Sequence, residues 1–150
     1  MSVSADRIAG VFETQPLPRF RAVLALVFAA AGLLSLGGAL SYVAGSPDVH
    51  GPSAPQYWAT FFAFYTAAFG GAALVGAFPR LSRAAIKGGW LLLTALLWAG
   101  ALHIRFSASS SPADAAEWCA VTRPYLIALV PLVAGLCWRS KSLDDTEPSS

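Results

Sequence analysis

The sequence predicts an all-α, polytopic integral membrane protein, a four-helix transmembrane bundle with both termini cytoplasmic. Three observations carry that prediction. Apolar residues fill 56% of the 150 positions, while Asp, Glu, Lys and Arg together fill only 12%, against about 25% in soluble domains. The apolar residues gather into four runs, each near the roughly 20 residues that cross a bilayer. Lys and Arg concentrate on one side of those runs. A mean hydropathy of +0.59 excludes a cytosolic globule and a disordered tail. A net charge of +2 supplies no broad basic surface for nucleic acid.

Each span has its own boundaries. The first runs from about Ala22 to Ala44 and ends at Gly45-Ser46-Pro47. It exceeds the roughly 7–15 residues of a signal-peptide core and is read as retained. The second, about Tyr57 to Phe78, lies between Pro55 and Pro79; the third, about Ala84 to Ile104, has Lys87 near its start. The fourth, about Trp118 to Trp138, contains Arg123, Pro124 and Pro131 and is the least regular. It either begins at Pro124 with Trp118–Thr122 along the interface, or buries Arg123 in a pair with Glu117 or Asp114. The reading favours the first. Residues 1–21 are then a cytoplasmic arm, 22–138 the membrane domain and 139–150 a disordered cytoplasmic tail.

Charge sets the direction. Arg7, Arg19, Arg21, Arg80, Arg83, Lys87, Arg139 and Lys141 fall on one side, and only Arg105 and Arg123 on the other. The positive-inside rule therefore puts both termini and the second loop in the cytoplasm. Cys119 and Cys137 lie 18 residues apart. Along a helix that is roughly 27 Å, beyond the roughly 7 Å reach of a disulfide. A thiol oxidoreductase of the DsbB type is excluded on that ground, and the chain has no Asn for glycosylation.

Helix periodicity picks out two faces. Ala59, Ala63, Ala67 and Gly71 recur every four residues in the second span, a pattern that lets backbones approach closely in lipid. Phe61, Tyr65 and Phe69 fall opposite. In the third span Lys87, Trp90, Thr94, Trp98, Ala101 and Arg105 share a sector of about 80°. Polar groups in a membrane helix face protein or a cavity, so this stripe is expected to point inward. Its two cations are also placed to snorkel to opposite headgroup layers. His103 and Arg105 are neighbours in the text but about 160° apart on a helix.

The remaining titratable groups collect on the outer side: Asp48 and His50 in the first outer loop, Asp114, Glu117 and Arg123 in the second. They lack the His-x3-His or Glu-x-x-His spacing that fixes two metal ligands on one helix, so no metal or cofactor is expected.

Tyr57–Phe78 and Gly100–Phe106 (Gly-Ala-Leu-His-Ile-Arg-Phe) resemble a small four-helix bacterial-type membrane family of unknown function, a likeness that implies a fold and no activity. Thr60-Phe61 through Tyr65-Thr66, with His103 late in the third span, are similar to the ergosterol-biosynthesis scaffold family. That resemblance implies a protein that tethers membrane enzymes. The chain departs from it at Trp58-Ala59 and in having no acid within six residues after His103.

Three functions follow as expectations. The first is an accessory or scaffold protein that associates with a membrane-protein partner or a second copy through the small faces. The second is a membrane enzyme acting on a hydrophobic substrate (lipid, isoprenoid or polyketide-like) near the outer face. Its catalytic groups would be His103, Arg105, Asp114 and Glu117, its substrate contacts Tyr65, Thr94, Trp98 and Arg123. The third is a subunit of an oligomeric transporter. All three place the chain in a bacterial inner membrane or an endoplasmic-reticulum membrane.

Overall fold

The computed structural model describes residues 19–45, 54–108 and 115–138. They form helices α1 (Arg19–Ala44), α2 (Ala54–Ala77), α3 (Ala84–Ala108), α4 (Ala115–Thr122) and α5 (Leu129–Cys137), with 3₁₀ segments at Pro79–Leu81 and Arg123–Ala128. No strand occurs among the described residues. Four stretches are long and apolar enough to cross a membrane: Arg19–Ala44, Gln56–Ala77, Ala84–Ser107 and Trp118–Cys137.

The last of these joins α4 to α5 through the 3₁₀ segment, and its prolines explain why. Pro124 and Pro131 have no N–H, so the carbonyls four residues earlier lose their α-helical donors. The backbone tightens to 3₁₀ between the two prolines and regains α geometry at Leu129. The helix therefore runs through Pro124 without a break, continuous with Ala115–Thr122. Arg123 is exposed.

The layout is an open arrangement centred on α2, which packs on α1, on α3 and on the fourth helix, whereas α1 packs substantially on α2 alone. Sequence composition makes α2 suited to the centre, because small residues occur all round it. Toward α1, a methyl added at Gly32 would lie 3.0 Å from the Gly70 nitrogen, so the two backbones cross nearly in contact. Of the buried positions of α2, Phe64, Ala68, Ala72 and Gly76 form a second four-residue stripe one position on from Ala59, Ala63, Ala67 and Gly71.

Two cores result. Phe64, Ala68, Ala101, Tyr125 and Ala128 form one; Phe28, Ala72, Ala73 and Trp90 form the other, nearer the start of α1 and the end of α2. The helix starts and ends give the molecule a polarity. At one end, called the Arg21 end, α1 and α3 begin while α2 and α5 finish. At the other, the Tyr57 end, α2 and α4 begin.

Candidate functional site

An apolar groove of about 420 Å³ separates α3 from the fourth helix. Phe64 of α2 forms its floor, Thr94 and Trp98 stand on the α3 wall, and Tyr125, Leu126 and Leu129 on the other. Its volume falls in the range of about 300–1,000 Å³ that suits one small apolar molecule. The Thr94 hydroxyl proton is not offered to it, since Oγ1 donates to the Trp90 carbonyl at 2.8 Å. The groove can therefore hold a hydrocarbon by contact, with the Thr94 hydroxyl already engaged.

The two walls are tied at both ends and part between. At the Tyr57 end the Phe106 and Trp118 rings lie 4.9 Å apart. At the Arg21 end Lys87 Nζ donates to the Leu136 carbonyl at 3.0 Å and also to that of Trp138, which accepts from Ser82 Oγ too. The Trp90 indole is wedged deeper. A Cβ at Gly71 would sit 2.1 Å from its Nε1, and one at Gly135 would sit 2.5 Å from its far ring edge. Only glycines leave room for that ring. Its Nε1 then donates to the Ala67 carbonyl at 2.7 Å.

Arg21 completes the Arg21 end. Its Nε donates to the Gly76 carbonyl at 2.9 Å and its guanidinium to that of Val75 at 3.0 Å. These are last-turn carbonyls of α2, without helical donors and at the negative end of its dipole. The same guanidinium lies 5.3 Å from the centre of the Trp138 ring. At the Tyr57 end aromatic groups do the joining. The Tyr57 and Tyr125 hydroxyls are 3.3 Å apart, Tyr65 donates to the Pro124 carbonyl, and Phe61 and Phe64 meet Tyr125 edge-on at 5.2 and 5.3 Å.

The structure distributes the expected site residues widely. Thr94 and Trp98 come together in the groove. Tyr65 lies on the α2 face that meets the 3₁₀ segment, and Arg123 stands exposed beside the groove. Arg105 is half-buried on the stripe that also carries Trp90, Thr94 and Ala101, whose side chains pack inward. His103 is exposed on another face of α3. Asp48, His50 and Asp114 lie outside the described residues, as do residues 1–18 and 139–150 and the side chain of Glu117. Of the small-residue stripe, Ala67 and Gly71 receive Trp90, while Ala59 and Ala63 are half-buried nearer the Tyr57 end. Cys119 and Cys137 are free and exposed. Among the described residues no three His, Cys, Asp or Glu side chains come together.

Sequence reasoning missed three participants. Arg21 was assigned to the arm, but α1 begins at Arg19 and carries it. Tyr125 and Ser82 drew no attention because neither has a periodic companion. A signal existed only for Tyr125, a polar aromatic inside an apolar run, which needs a hydrogen-bond partner when buried. Comparison with protein-family models, curated proteins and solved structures finds no match for this chain.

Proposed function

We propose that the protein is a small integral membrane accessory or scaffold protein, crossing the bilayer four times. Both termini and the loop carrying Arg80 and Arg83 are cytoplasmic. It associates along α1 with a membrane-protein partner or a second copy. The observation behind this reading is the one-sided packing of α1. Ala25, Phe28, Gly32 and Ala39 turn toward α2, while Leu26, Leu33, Leu34, Leu40 and Val43 stay between 58% and 79% exposed. Arg21, Tyr57, Tyr65, Ser82 and Lys87 support it further, because they are engaged in joining one helix to another.

Gly37 allows a clean test, since a Cβ added there meets no atom within 4 Å. Native mass spectrometry of the chain in a mild detergent is expected to give a defined complex, either a homo-oligomer or a co-purifying protein. Gly37→Trp should dissociate it while leaving the helical content read by circular dichroism unchanged, since the added Cβ meets nothing within the chain. A bare monomer from membranes solubilised under several mild conditions contradicts the association. For topology, a C-terminal fluorescent-protein fusion should glow and a C-terminal alkaline-phosphatase fusion should be inactive; the reverse pattern overturns the orientation.

A further inference from the structure

The groove between α3 and the fourth helix differs from the α1 face in one respect: beyond the lining of each wall, toward the Tyr57 end, stands a cation. On the α3 wall, Arg105 shares the face of Trp98 and stands two turns beyond it. On the other wall, 3₁₀ winding eclipses residues three apart, which sets Arg123 over the lining residue Leu126. Arg123 is exposed, and a side chain of its length can follow an apolar wall and present its guanidinium at the water boundary.

Depth agrees with that placement. From Arg123 to Cys137 the chain rises roughly 25 Å, counting 3₁₀ and α residues separately. In a hydrocarbon core of about 30 Å, Arg123 therefore stands near the headgroup boundary when Cys137 is near the opposite one. Below it lies an apolar slot with Thr94 already hydrogen-bonded to its own helix. A slot of this kind, capped by positive charge at the interfacial end, complements an amphiphile with an anionic head and a hydrocarbon tail. In a bilayer the molecule of that description with direct lateral access is a lipid.

The geometry points to a binding site for one anionic phospholipid. One acyl chain lies along Thr94, Trp98, Leu126 and Leu129, and the phosphate rests on the Arg123 guanidinium. The lipid fills the gap where α3 and the fourth helix part, and so acts as a wedge between their tied ends. This inference rests on the membrane-spanning reading but not on the association along α1.

The test uses the whole chain in mild detergent, titrated with phosphatidylglycerol and phosphatidylcholine of identical acyl chains and read by native mass spectrometry. One phosphatidylglycerol should be retained about fivefold better than phosphatidylcholine, the magnitude of one cation near an anionic headgroup. Arg123→Gln should abolish the preference and leave phosphatidylcholine retention unchanged. Ala95→Trp, at an exposed lining position, should reduce retention of both lipids. Circular dichroism and melting temperature confirm that each variant is folded. Equal retention of the two lipids, or a preference that survives Arg123→Gln, overturns the headgroup assignment and the proposal with it. Retention unaffected by Ala95→Trp places the lipid elsewhere, and a dimer lost on Ala95→Trp assigns the groove to a second copy. Failure of the fusion reporters would instead strike at the orientation and leave these lipid ratios intact.

Discussion

The two ends of the molecule are joined by different chemistry. At the Arg21 end, cations reach across to main-chain carbonyls: Arg21 to Val75 and Gly76, Lys87 to Leu136 and Trp138. At the Tyr57 end, rings meet tilted or edge-on and phenol hydroxyls meet one another or a proline carbonyl. Helix direction explains the difference. Because α2 and α5 run parallel, both finish at the Arg21 end, where last-turn carbonyls and negative dipole ends converge. Positive side chains satisfy them. At the Tyr57 end α2 and α4 begin, while α1 and α3 finish there without packing substantially on one another, and contact falls to wide aromatic side chains. Where packed helices end together the main chain needs donors; where the finishing helices stand apart, side-chain shape can do the joining.

The largest expected effect comes from the Trp90 wedge. Trp90→Ala should lower stability by about 3 kcal/mol or more, through the cavity left between Gly71 and Gly135. Thermal unfolding in detergent measures it, with Trp90→Phe expected to lose only about 1 kcal/mol for the hydrogen bond to Ala67. Equal losses for Ala and Phe would move the weight from packing to the hydrogen bond.

Next comes the carbonyl capping. Lys87→Met should cost about 1–2 kcal/mol, because the Leu136 and Trp138 carbonyls lose a charged donor at a helix C-terminus. Ser82→Ala should be non-additive with it, since both donors share the Trp138 carbonyl. A double-mutant cycle with no coupling would refute the shared cap.

At the opposite end the effects shrink. Tyr65→Phe should cost about 0.6 kcal/mol, the usual size of a side-chain hydrogen bond between membrane helices. If it cost more than Lys87→Met, the contrast between the ends would be inverted. Smallest of all, Cys119→Ser and Cys137→Ser at exposed positions should each stay within about 0.5 kcal/mol of the parent, as read from the melting temperature.

The legible part of the site was the α3 stripe. Trp90, Thr94 and Ala101 pack inward as their shared sector implied, because a polar hydroxyl and an indole N–H need partners away from hydrocarbon, whereas Trp98 of the same sector is 39% exposed at the groove. The partners themselves were not legible. That Trp90 slots between Gly71 and Gly135, 64 positions apart in the sequence, depends on α2 and α5 lying side by side. Periodicity within one helix carries no information about which other helix it meets. The small stripe through Ala67 and Gly71 was visible, yet the more buried stripe through Ala68 and Ala72 was not singled out. Both have four-residue spacing, and only the positions of three neighbours rank them.

By itself the sequence determined the four long apolar helices and the prolines that interrupt the last one. Hydropathy and the missing N–H are local properties that act wherever the chain lies. Tertiary structure alone decided why Arg21 and Lys87 sit in the first turns of α1 and α3. A cation there faces the positive end of its own helix dipole, an unfavourable place in isolation. The cost is offset because α1 and α3 begin beside the carbonyl ends of α2 and α5, and a neighbour's last turn attracts the charge that its own first turn repels.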